Sequence, residues 1–352
     1  MMVHVKTVVI DCRFAHFPAG IGRYTRELVP LLLPRLASSK IVLIVMAEGK
    51  PWAAALAGGS EVMVARGAHY AFREQWEIPS LLRAAHADLF FAPHFNVPFF
   101  CPVPFVCTIH DLILHRYPNQ ATLPKRMAYR ILMQRSVRRA RRVIAVSRFT
   151  AEELARVFGG GIVSKTTVIH NGVSGIFHSR SAVEQDEAVR TFGIQRPFFL
   201  YVGNAKEHKN VPMLLSAFER SGRGDAELVL ALSGREASSL HLSPRVRLLS
   251  DLHDDALAAL YSAALAFVTP SLYEGFGLPV AEAAACGCPV IAVKGSSIPE
   301  VAPEGSILLP PTVDALADAL RNAREGERPA VCRFSWEETA EKTADVLRVA
   351  MS

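Results

Sequence analysis

Short apolar runs alternate with longer helical patterns along the whole chain of 352 residues. Each run has the length of one strand, and the stretch after it carries apolar residues at helical spacing. This alternation is typical of parallel sheets whose crossover connections are helices, and it predicts a doubly wound α/β fold. The predicted strands are Val5–Ile10, Ile41–Met46, Leu89–Ala92, Pro104–Ile109, Val143–Val146, Thr166–Ile169, Phe198–Val202, Leu228–Leu232, Val246–Leu249, Ala266–Thr269, Pro289–Val293 and Ser306–Leu308.

The length exceeds what a single hydrophobic core commonly serves, so two Rossmann-like domains are predicted. The segment Val173–Gln195 is polar and has little periodicity. We therefore predict an N-terminal domain over residues 1–175, a C-terminal domain over residues 176–335 and a final helix within 336–352. Ligands of open parallel sheets bind beyond the carboxyl ends of the strands, and two such sheets facing each other are expected to enclose a cleft.

Composition excludes several classes of protein. No apolar run approaches the roughly 18 residues of a membrane-spanning helix, and residues 1–13 lack the pattern of a signal peptide, so a cytoplasmic protein is expected. The cysteines have neither metal-ligand spacing nor the density of a disulfide framework, and they are expected to be reduced and mostly buried. They are Cys12, Cys101, Cys107, Cys286, Cys288 and Cys332.

Other short motifs lack the sequence context that phosphate, dinucleotide or metal binding would require. Gly159–Gly161 is followed by a strand rather than by a phosphate-binding helix, so a loop is expected there. Gly20–Gly22 lacks the full dinucleotide fingerprint, which argues against a dehydrogenase. The histidines form no metal-binding motif, and no metal or cofactor is expected.

The stretch Ser271–Val293, SLYEGFGLPVAEAAACGCPVIAV, carries the clearest chemistry. Pro279 suits the first turn of a helix, which places Glu274 in the loop before that helix and Glu282 about one turn inside it. Gly275 and Gly277 allow a ligand to approach the backbone closely. The amides of the next residues would stand at a helix N-terminus, which attracts phosphate. A phosphorylated, hydroxyl-rich ligand is therefore expected, with contacts from the amides of Phe276, Gly277 and Leu278.

This stretch resembles the E-x7-E element of the family-4 retaining glycosyltransferases, which move a sugar from a nucleotide-sugar donor and have the two-domain GT-B fold. Further motifs similar to those of the family occur in order along nearly the whole chain. They are Ala19–Tyr24, Thr108–Asp111, Ala145–Ser147, Ile169–Val173, Tyr201–Gly203, Lys209–Asn210 and Ser296–Val301.

The resemblance implies a role for each of these residues. Lys209 resembles the lysine of the donor diphosphate, Glu282 the carboxylate that accepts hydrogen bonds from the ribose, and Glu274 the acid beside the donor sugar. His110 resembles a histidine that contacts the donor sugar or the acceptor, with a bond to a neighbouring loop as the alternative. The catalytic residues implied are thus Glu274, His110 and Lys209, and the donor-binding residues are Gly20, Gly22, Gly203, Lys209, Phe276, Gly277, Leu278 and Glu282.

The resemblance also implies a final helix that returns to the N-terminal domain, and a cytoplasmic enzyme of polysaccharide or lipopolysaccharide biosynthesis. Gly20–Thr25 and Thr108–Leu112 are most similar to the mannosyltransferase-like branch, which makes GDP-mannose the first candidate donor. The acceptor would be a glycan or a lipid-linked oligosaccharide. Its pocket is expected in the N-terminal domain, around Arg13, Gly20, Arg23, Tyr24, His94 and Asn96.

Charge is distributed unevenly between the two halves. Residues 1–178 contain 22 Lys and Arg against 10 Asp and Glu, whereas the remainder contains 17 against 23. Lys125–Arg148 holds nine basic residues and no acid, and it predicts a basic amphipathic helix whose apolar stripe packs on the sheet. Its charged face is a candidate contact with the anionic inner face of the cytoplasmic membrane, and its alternative is an ordinary solvated face. The apolar positions are Met127, Ile131, Leu132 and Val137.

Several alternatives stay open at this point. The same fold serves UDP-hexose-dependent glycosyltransferases, nucleotide-sugar epimerases and glycan phosphorylases. A two-domain module that binds sugar or nucleotide without catalysis is a further alternative. A nucleic-acid partner is disfavoured, since no basic groove with interleaved aromatic residues is visible.

Overall fold

The computed structural model describes residues 5–17, 20–56, 60–67, 69–232, 242–326 and 333–352. The chain divides into two compact units. Unit 1 comprises Met1–Gly172 and Trp336–Ser352, and unit 2 comprises Val173–Ser335. Unit 2 is therefore inserted into the sequence of unit 1. Of the residues named above, Ala19 and Cys332 lie outside the described ranges.

Within its described residues, unit 1 contains a sheet of parallel strands and six helices before residue 172. The strands are β1 (Thr7–Asp11), β2 (Lys40–Val45), β3 (Glu61–Val64), β4 (Leu89–Ala92), β5 (Phe105–Ile109), β6 (Arg142–Ala145) and β7 (Thr166–Val168). The helices are α1 (Gly20–Arg35), α2 (Lys50–Ala55), α3 (Glu74–Ala84), α4 (Ile113–Arg116), α5 (Leu123–Arg139) and α6 (Arg148–Phe158). The strand order is β3-β2-β1-β4-β5-β6-β7.

Unit 2 repeats this plan over its described residues. Its strands are β8 (Phe198–Gly203), β9 (Glu227–Leu232), β10 (Val246–Leu249), β11 (Ala266–Thr269), β12 (Val290–Val293) and β13 (Ile307–Leu309). Its helices are α7 (Ala182–Thr191), α8 (Val211–Ser221), α9 (Asp254–Ala263), α10 (Leu278–Ala285), α11 (Ile298–Val301) and α12 (Val313–Asn322). The parallel strands follow the order β10-β9-β8-β11-β12-β13.

A last helix, α13 (Trp336–Met351), completes unit 1. Its buried residues join the hydrophobic cluster formed by one face of the sheet and by α1. The rings of Tyr24 and Trp336 meet edge to face at 5.7 Å. On the surface, Arg35 of α1 forms an ion pair with Glu341 of α13. The far end of the chain therefore supplies part of the core of unit 1.

The prediction of two Rossmann-like α/β domains is confirmed. The central strands are buried on both faces, and they appear in the sequence as continuous apolar runs for that reason. All five residues of β1 are buried, and Val9 belongs to a different hydrophobic cluster from Val8 and Ile10 because alternate side chains point to opposite faces. Strand β3 was not predicted, because its residues lie at the sheet edge and are exposed or half-buried.

The prediction for Lys125–Arg148 was wrong in two respects. The helix ends at Arg139, because β6 begins at Arg142 and α6 at Arg148. The predicted apolar stripe is also not the buried one. Met127 and Ile131 are 55% and 52% exposed, and Leu132 is half-buried. Of the four predicted positions only Val137 is buried, and it is joined on the inner face by Tyr129, Met133 and Ser136.

Three further observations concern the residues that the structure describes. None of their helices is both long and apolar enough to cross a membrane. They contain no group of three or more His, Cys, Asp or Glu side chains suited to a metal ion. The five described cysteines are free thiols, and all except the half-buried Cys101 are buried.

Candidate functional site

The strand order of each sheet identifies where a ligand would bind. The order reverses between β1 and β4 in unit 1 and between β8 and β11 in unit 2. Ligands of open α/β sheets bind outside the carboxyl ends of the strands at such a reversal. The loops that follow these four strands are therefore the candidate sites. Their described residues are 12–17 and 93–104 in unit 1, and 204–210 and 270–277 in unit 2.

Two predicted catalytic residues meet at the reversal of unit 2. Lys209 ends a short 3-10 turn after β8, and Glu274 lies in the loop after β11. Lys209 Nζ donates a hydrogen bond of 2.6 Å to Glu274 Oε1, and the side chains are 15% and 14% exposed. The 65 residues that separate them in sequence are bridged because β8 and β11 are neighbours in the sheet. The result is a cation and a carboxylate held together at the edge where a ligand is expected.

Hydrogen bonds from a neighbouring loop fix the backbone around Glu274. The backbone N–H of Glu274 donates to Ser296 Oγ at 2.9 Å. The Ser297 hydroxyl lies 3.0 Å from the carbonyl oxygen of Glu274 and 2.8 Å from that of Phe276. Gly277 has a φ of 92°, a conformation that glycine adopts without strain. The loop therefore has one defined path into α10.

Helix α10 positions the second predicted acid. The helix begins at Leu278, after the N-cap residue Gly277, so the amides of Phe276, Gly277 and Leu278 stand at its first turn. Glu282 lies one turn inside and is 5% exposed. Tyr261 donates its hydroxyl to Glu282 Oε2 at 3.4 Å. A carboxylate that accepts bonds from hydroxyl groups suits a ribose diol, which is the role predicted for it.

Local packing determines the properties of two residues near Lys209, Gly203 and His208. Gly203 has a φ of 154°, and a Cβ there would lie 2.9 Å from the hydroxyl of Tyr201. Close packing on Tyr201 thus explains this glycine without a ligand. His208 is buried, and burial lowers the pKa of its ring to about 4. Because the ring is neutral at neutral pH, the fixed positive charge next to Glu274 comes from Lys209 rather than from His208.

Arg13, predicted at the acceptor pocket, is fully buried in unit 1. Its guanidinium donates to both oxygens of Asp11, at 2.8 and 2.7 Å, and to Glu74 Oε2 at 2.8 Å. Asp11 ends β1 and Glu74 begins α3, so the ion-pair cluster connects the sheet to that helix. Arg13 has no exposed surface, and its guanidinium group is bonded to two carboxylates. Its role in this structure is therefore structural.

Tyr24 and Gly22 of α1 also serve packing. Tyr24 is 1% exposed, and its hydroxyl lies 3.2 Å from Thr108 Oγ1. A Cβ on Gly22 would come within 2.0 Å of the carbonyl oxygen of Phe17, so this glycine lets α1 approach the loop after β1. A Cβ on Gly20 would meet no atom within 4 Å. Arg23 is half-exposed on the same helix and stays a candidate contact of the acceptor.

His94, in the loop after β4, and His110, which follows the neighbouring strand β5, lie with their rings stacked 6.4 Å apart. His110 Nε2 lies 2.8 Å from the carbonyl oxygen of Pro93 and must donate to it. His94 Nδ1 accepts from the N–H of Asn96, so Nε2 carries the proton and lies 3.4 Å from the hydroxyl of Tyr70. Burial lowers the pKa of both rings, which are therefore neutral at neutral pH. Asp111 orients its own loop by accepting a hydrogen bond from the N–H of Ile113.

The aromatic residues beside His94 were not predicted from the sequence. The ring of His69 stacks on Phe14 at 3.8 Å, and burial lowers the pKa of His69 to about 4. Phe14 lies 5.0 Å from the ring of His94. Several buried polar atoms of this cluster have no hydrogen-bond partner among the described residues. They are His16 Nδ1, His69 Nδ1, Glu74 Oε1 and both polar atoms of the Asn96 amide.

Two family models match the chain on either side of the boundary between the units. The model of the glycosyltransferase family 4 matches residues 18–174, nearly all in unit 1. The model described as glycosyl transferases group 1 matches residues 184–342, mostly in unit 2. Together they include Lys209, Glu274 and Glu282 as well as His94 and His110.

Curated relatives and solved structures give the same indication. The chain is 28% identical over 267 residues to the O-antigen chain mannosyltransferase B of Escherichia coli. The matched region covers 69% of this chain and 70% of that protein. It is 27% identical over 238 residues to the O-antigen chain mannosyltransferase RfbU of Salmonella typhimurium, covering 65% of this chain but only 63% of that protein.

Among solved structures, Anabaena HepE in complex with UDP and glucose superimposes with a TM-score of 0.75. The match covers 98% of this chain and 100% of that one. The two sequences are 19% identical, so this likeness concerns the fold alone.

Proposed function

Since the chain belongs to the retaining glycosyltransferases of family 4, we propose that it transfers mannose from GDP-mannose to a glycan or a lipid-linked oligosaccharide. The sugar is proposed because the two curated relatives named above are mannosyltransferases of O-antigen chains. A role in polysaccharide or lipopolysaccharide biosynthesis follows from the same names. The observation that supports the transfer chemistry best is the pair of Lys209 and Glu274 at the strand reversal of unit 2.

In the proposed reaction the donor diphosphate changes the environment of this ion pair. A diphosphate beside the first turn of α10 would meet the charge of Lys209 and the amides of residues 276–278. Lys209 would then be shared between phosphate and Glu274, and Glu274 could accept a hydrogen bond from a hydroxyl of the sugar. Fixed cationic and amide donors stabilise the charge that develops on a leaving nucleoside diphosphate.

Retention is proposed to occur by displacement on one face of the sugar. The bond between the anomeric carbon and the diphosphate oxygen breaks while the bond to the acceptor oxygen forms on the same face. The proton of the acceptor hydroxyl passes to the departing phosphate oxygen. No covalent bond to Glu274 is needed in this scheme, and its carboxylate supports the positive charge that develops on the sugar.

The acceptor is proposed to bind at the aromatic and imidazole cluster of unit 1. His69 Nδ1 bears a lone pair because Nε2 donates to the carbonyl oxygen of Arg13, and the Asn96 amide offers a donor and an acceptor. Neutral groups of this kind suit the hydroxyl groups of a sugar. His110, with its Nδ1 lone pair, is proposed as the link between this cluster and the reacting hydroxyl.

UDP-hexose is the second candidate donor, because HepE was solved with UDP and glucose on the same fold. A panel of GDP-, UDP-, ADP- and dTDP-sugars distinguishes the two by thermal denaturation. At about 100 times its dissociation constant, the correct donor is expected to add about 2.7 kcal/mol to the free energy of unfolding. For a unit the size of unit 2 this corresponds to a midpoint about 5–11 °C higher.

Release of nucleoside diphosphate in the presence of an oligosaccharide acceptor completes this test. Release of diphosphate from GDP-mannose and from no other donor supports the proposal. Release from a UDP-sugar would identify that sugar, instead of mannose, as the one transferred. Donor binding without any acceptor-dependent release would instead indicate a binding module.

Replacing Glu282 by glutamine is expected to weaken nucleoside diphosphate binding about 10-fold or more. The amide keeps the size of the side chain and one acceptor for Tyr261, but it loses the charge, and hydrogen bonds to charged groups are worth about 1.5–3 kcal/mol. Calorimetric titration with GDP and UDP measures the change. Glu187→Gln, at an exposed position of α7, is the matched control and should leave both dissociation constants unchanged. Equal affinities in the native and Glu282→Gln proteins would exclude the ribose role.

The proposed location is the cytoplasm, with peripheral contact to the anionic inner face of the membrane. Two features support this contact. The N-terminal half of the chain carries 22 basic against 10 acidic residues, and the segment 125–148 contains no acid. Lipid-linked acceptors are also held at such a surface.

A further inference from the structure

The outer face of α5 is apolar, which is unusual for a solvated helix. Leu123, Met127 and Ile131 are 59%, 55% and 52% exposed. Their spacing of four residues places them in one row along the helix. Because Tyr129, Met133, Ser136 and Val137 form the buried face, this row makes no contribution to the core of unit 1.

The row leads to an exposed aromatic loop. Arg135 is the next residue at the same spacing, and its guanidinium carbon lies 3.7 Å above the ring centre of Phe99. Its Nε also donates to the carbonyl oxygen of Phe99 at 2.5 Å. The ring of Phe100, 5.0 Å from that of Phe99, is 73% exposed. Arg135 thus joins the helix to the loop after β4.

The same loop contacts the start of α3, where two more aromatic rings are exposed. The N–H of Phe99 donates to Gln75 Oε1 at 2.6 Å. Trp76 follows Gln75 and is 59% exposed, and its ring lies 4.7 Å from that of Phe72, which is 79% exposed. Through Arg135 and Gln75, Phe99 thus connects the row on α5 to the start of α3. The six exposed residues Phe72, Trp76, Phe100, Leu123, Met127 and Ile131 are here named the anchor face.

Basic side chains border the anchor face. Lys125, Arg130 and Arg138 of α5 are exposed, and Arg73 is exposed beside Phe72. Helix α5 itself contributes six positive charges and no negative one. Isolated exposed apolar residues are ordinary, but a row of them joined to exposed Trp and Phe marks an interaction surface. A positive border selects an anionic partner, and Trp beside Lys and Arg is typical of the interface between water and lipid.

We infer that the anchor face inserts into the interfacial region of an anionic lipid bilayer, with α5 lying in the membrane plane. The inference rests on the proposed peripheral location and specifies the residues and the mode of contact. Apolar insertion supplements the electrostatic attraction, so attachment should persist in part at salt concentrations that screen surface charges. A reagent that only removed positive charge would weaken the contact without abolishing it.

Fluorescence of Trp76 tests insertion directly. The chain has three tryptophans, of which Trp336 is buried and Trp52 half-buried, so Trp76 is the exposed reporter. Vesicles with 30% phosphatidylglycerol in phosphatidylcholine should shift the emission of the native protein to shorter wavelength, and brominated lipids should quench it. Trp76→Phe should lose the shift and keep vesicle binding. An unchanged shift in Trp76→Phe would overturn the assignment of Trp76.

Vesicle sedimentation tests the row on α5. The variant Leu123→Gln, Met127→Gln, Ile131→Gln should bind the anionic vesicles at least 10-fold more weakly than the native protein. The matched control replaces Val163, Val183 and Val349, which are 59%, 73% and 49% exposed, by glutamine and should bind normally. Both triple variants should transfer sugar to a short soluble acceptor at the native rate, which separates this test from that of the proposed function.

Three outcomes would overturn the inference. Native binding by the α5 variant would show that the row does not insert. Native protein that ignores the vesicles at low salt would remove the peripheral location as well, while leaving sugar transfer intact. A native dimer in solution that the α5 variant dissociates would assign the anchor face to a second copy of this chain.

Discussion

Lys209→Ala is expected to reduce kcat/KM for sugar transfer by about 10- to 150-fold. Hydrogen bonds to charged groups are typically worth about 1.5–3 kcal/mol, and the partner proposed for Lys209 is a diphosphate whose negative charge grows as it leaves. The ammonium group is the cation in contact with Glu274. Steady-state kinetics with saturating acceptor measure the loss.

The variant Glu274→Gln distinguishes this catalytic role from an ion pair that only supports the fold. Lys209→Ala leaves the mostly buried Glu274 without its partner, so some stability is lost with the activity. Combining it with Glu274→Gln should restore much of that stability and none of the activity. Lys206→Ala, at an exposed position three residues earlier, is the control and should stay within about twofold of native turnover. A variant lacking Lys209 that turned over normally would show that another residue holds the diphosphate.

Arg13→Met is expected to lower the free energy of unfolding of unit 1 by about 3–5 kcal/mol. Removing one member of a buried ion pair leaves its partner charged in a medium that solvates it poorly. Here two carboxylates, those of Asp11 and Glu74, are left facing each other, and both are almost fully buried. Calorimetry should record an unfolding transition about 6–20 °C lower for a unit of this size.

Two comparisons locate this loss in the ion-pair cluster. Adding Asp11→Asn and Glu74→Gln removes the buried negative charges and should recover part of the stability. Lys40→Met breaks an ion pair with Glu61 in which both side chains are about half exposed, and it should cost less than about 1 kcal/mol. If Arg13→Met unfolded at the native temperature, the cluster would contribute no net stability to unit 1.

The sheets could be predicted because most of their strands are buried on both faces. A run such as Val8–Ile10 is apolar throughout for that reason, whereas β3 lies at the sheet edge and gives no such signal. Which face of helix α5 is buried could not be predicted. Its apolar residues satisfy helical spacing on the outer face as well as on the inner one, so the pattern identified a helix without showing which side is buried.

The candidate site was predictable in part. Motif resemblance identified Lys209 and Glu274 separately, but their contact depends on the neighbouring positions of β8 and β11, which no local pattern encodes. His69 was missed because it follows the unrecognised strand β3. Arg13 and Tyr24 were expected at the acceptor pocket, yet the structure buries both, the guanidinium paired with two carboxylates and the tyrosine bonded to Thr108.

The return of α13 to unit 1 affects how the protein can be made. Residues 173–335 are contiguous, so unit 2 can complete its fold as soon as they leave the ribosome. Unit 1 cannot, because the ring of Trp336 and the apolar face of α13 are missing from its core until the last helix has been synthesised. The half of the polypeptide that emerges first is therefore the half that matures last. During that interval its incomplete hydrophobic face is the part of the nascent chain most in need of protection.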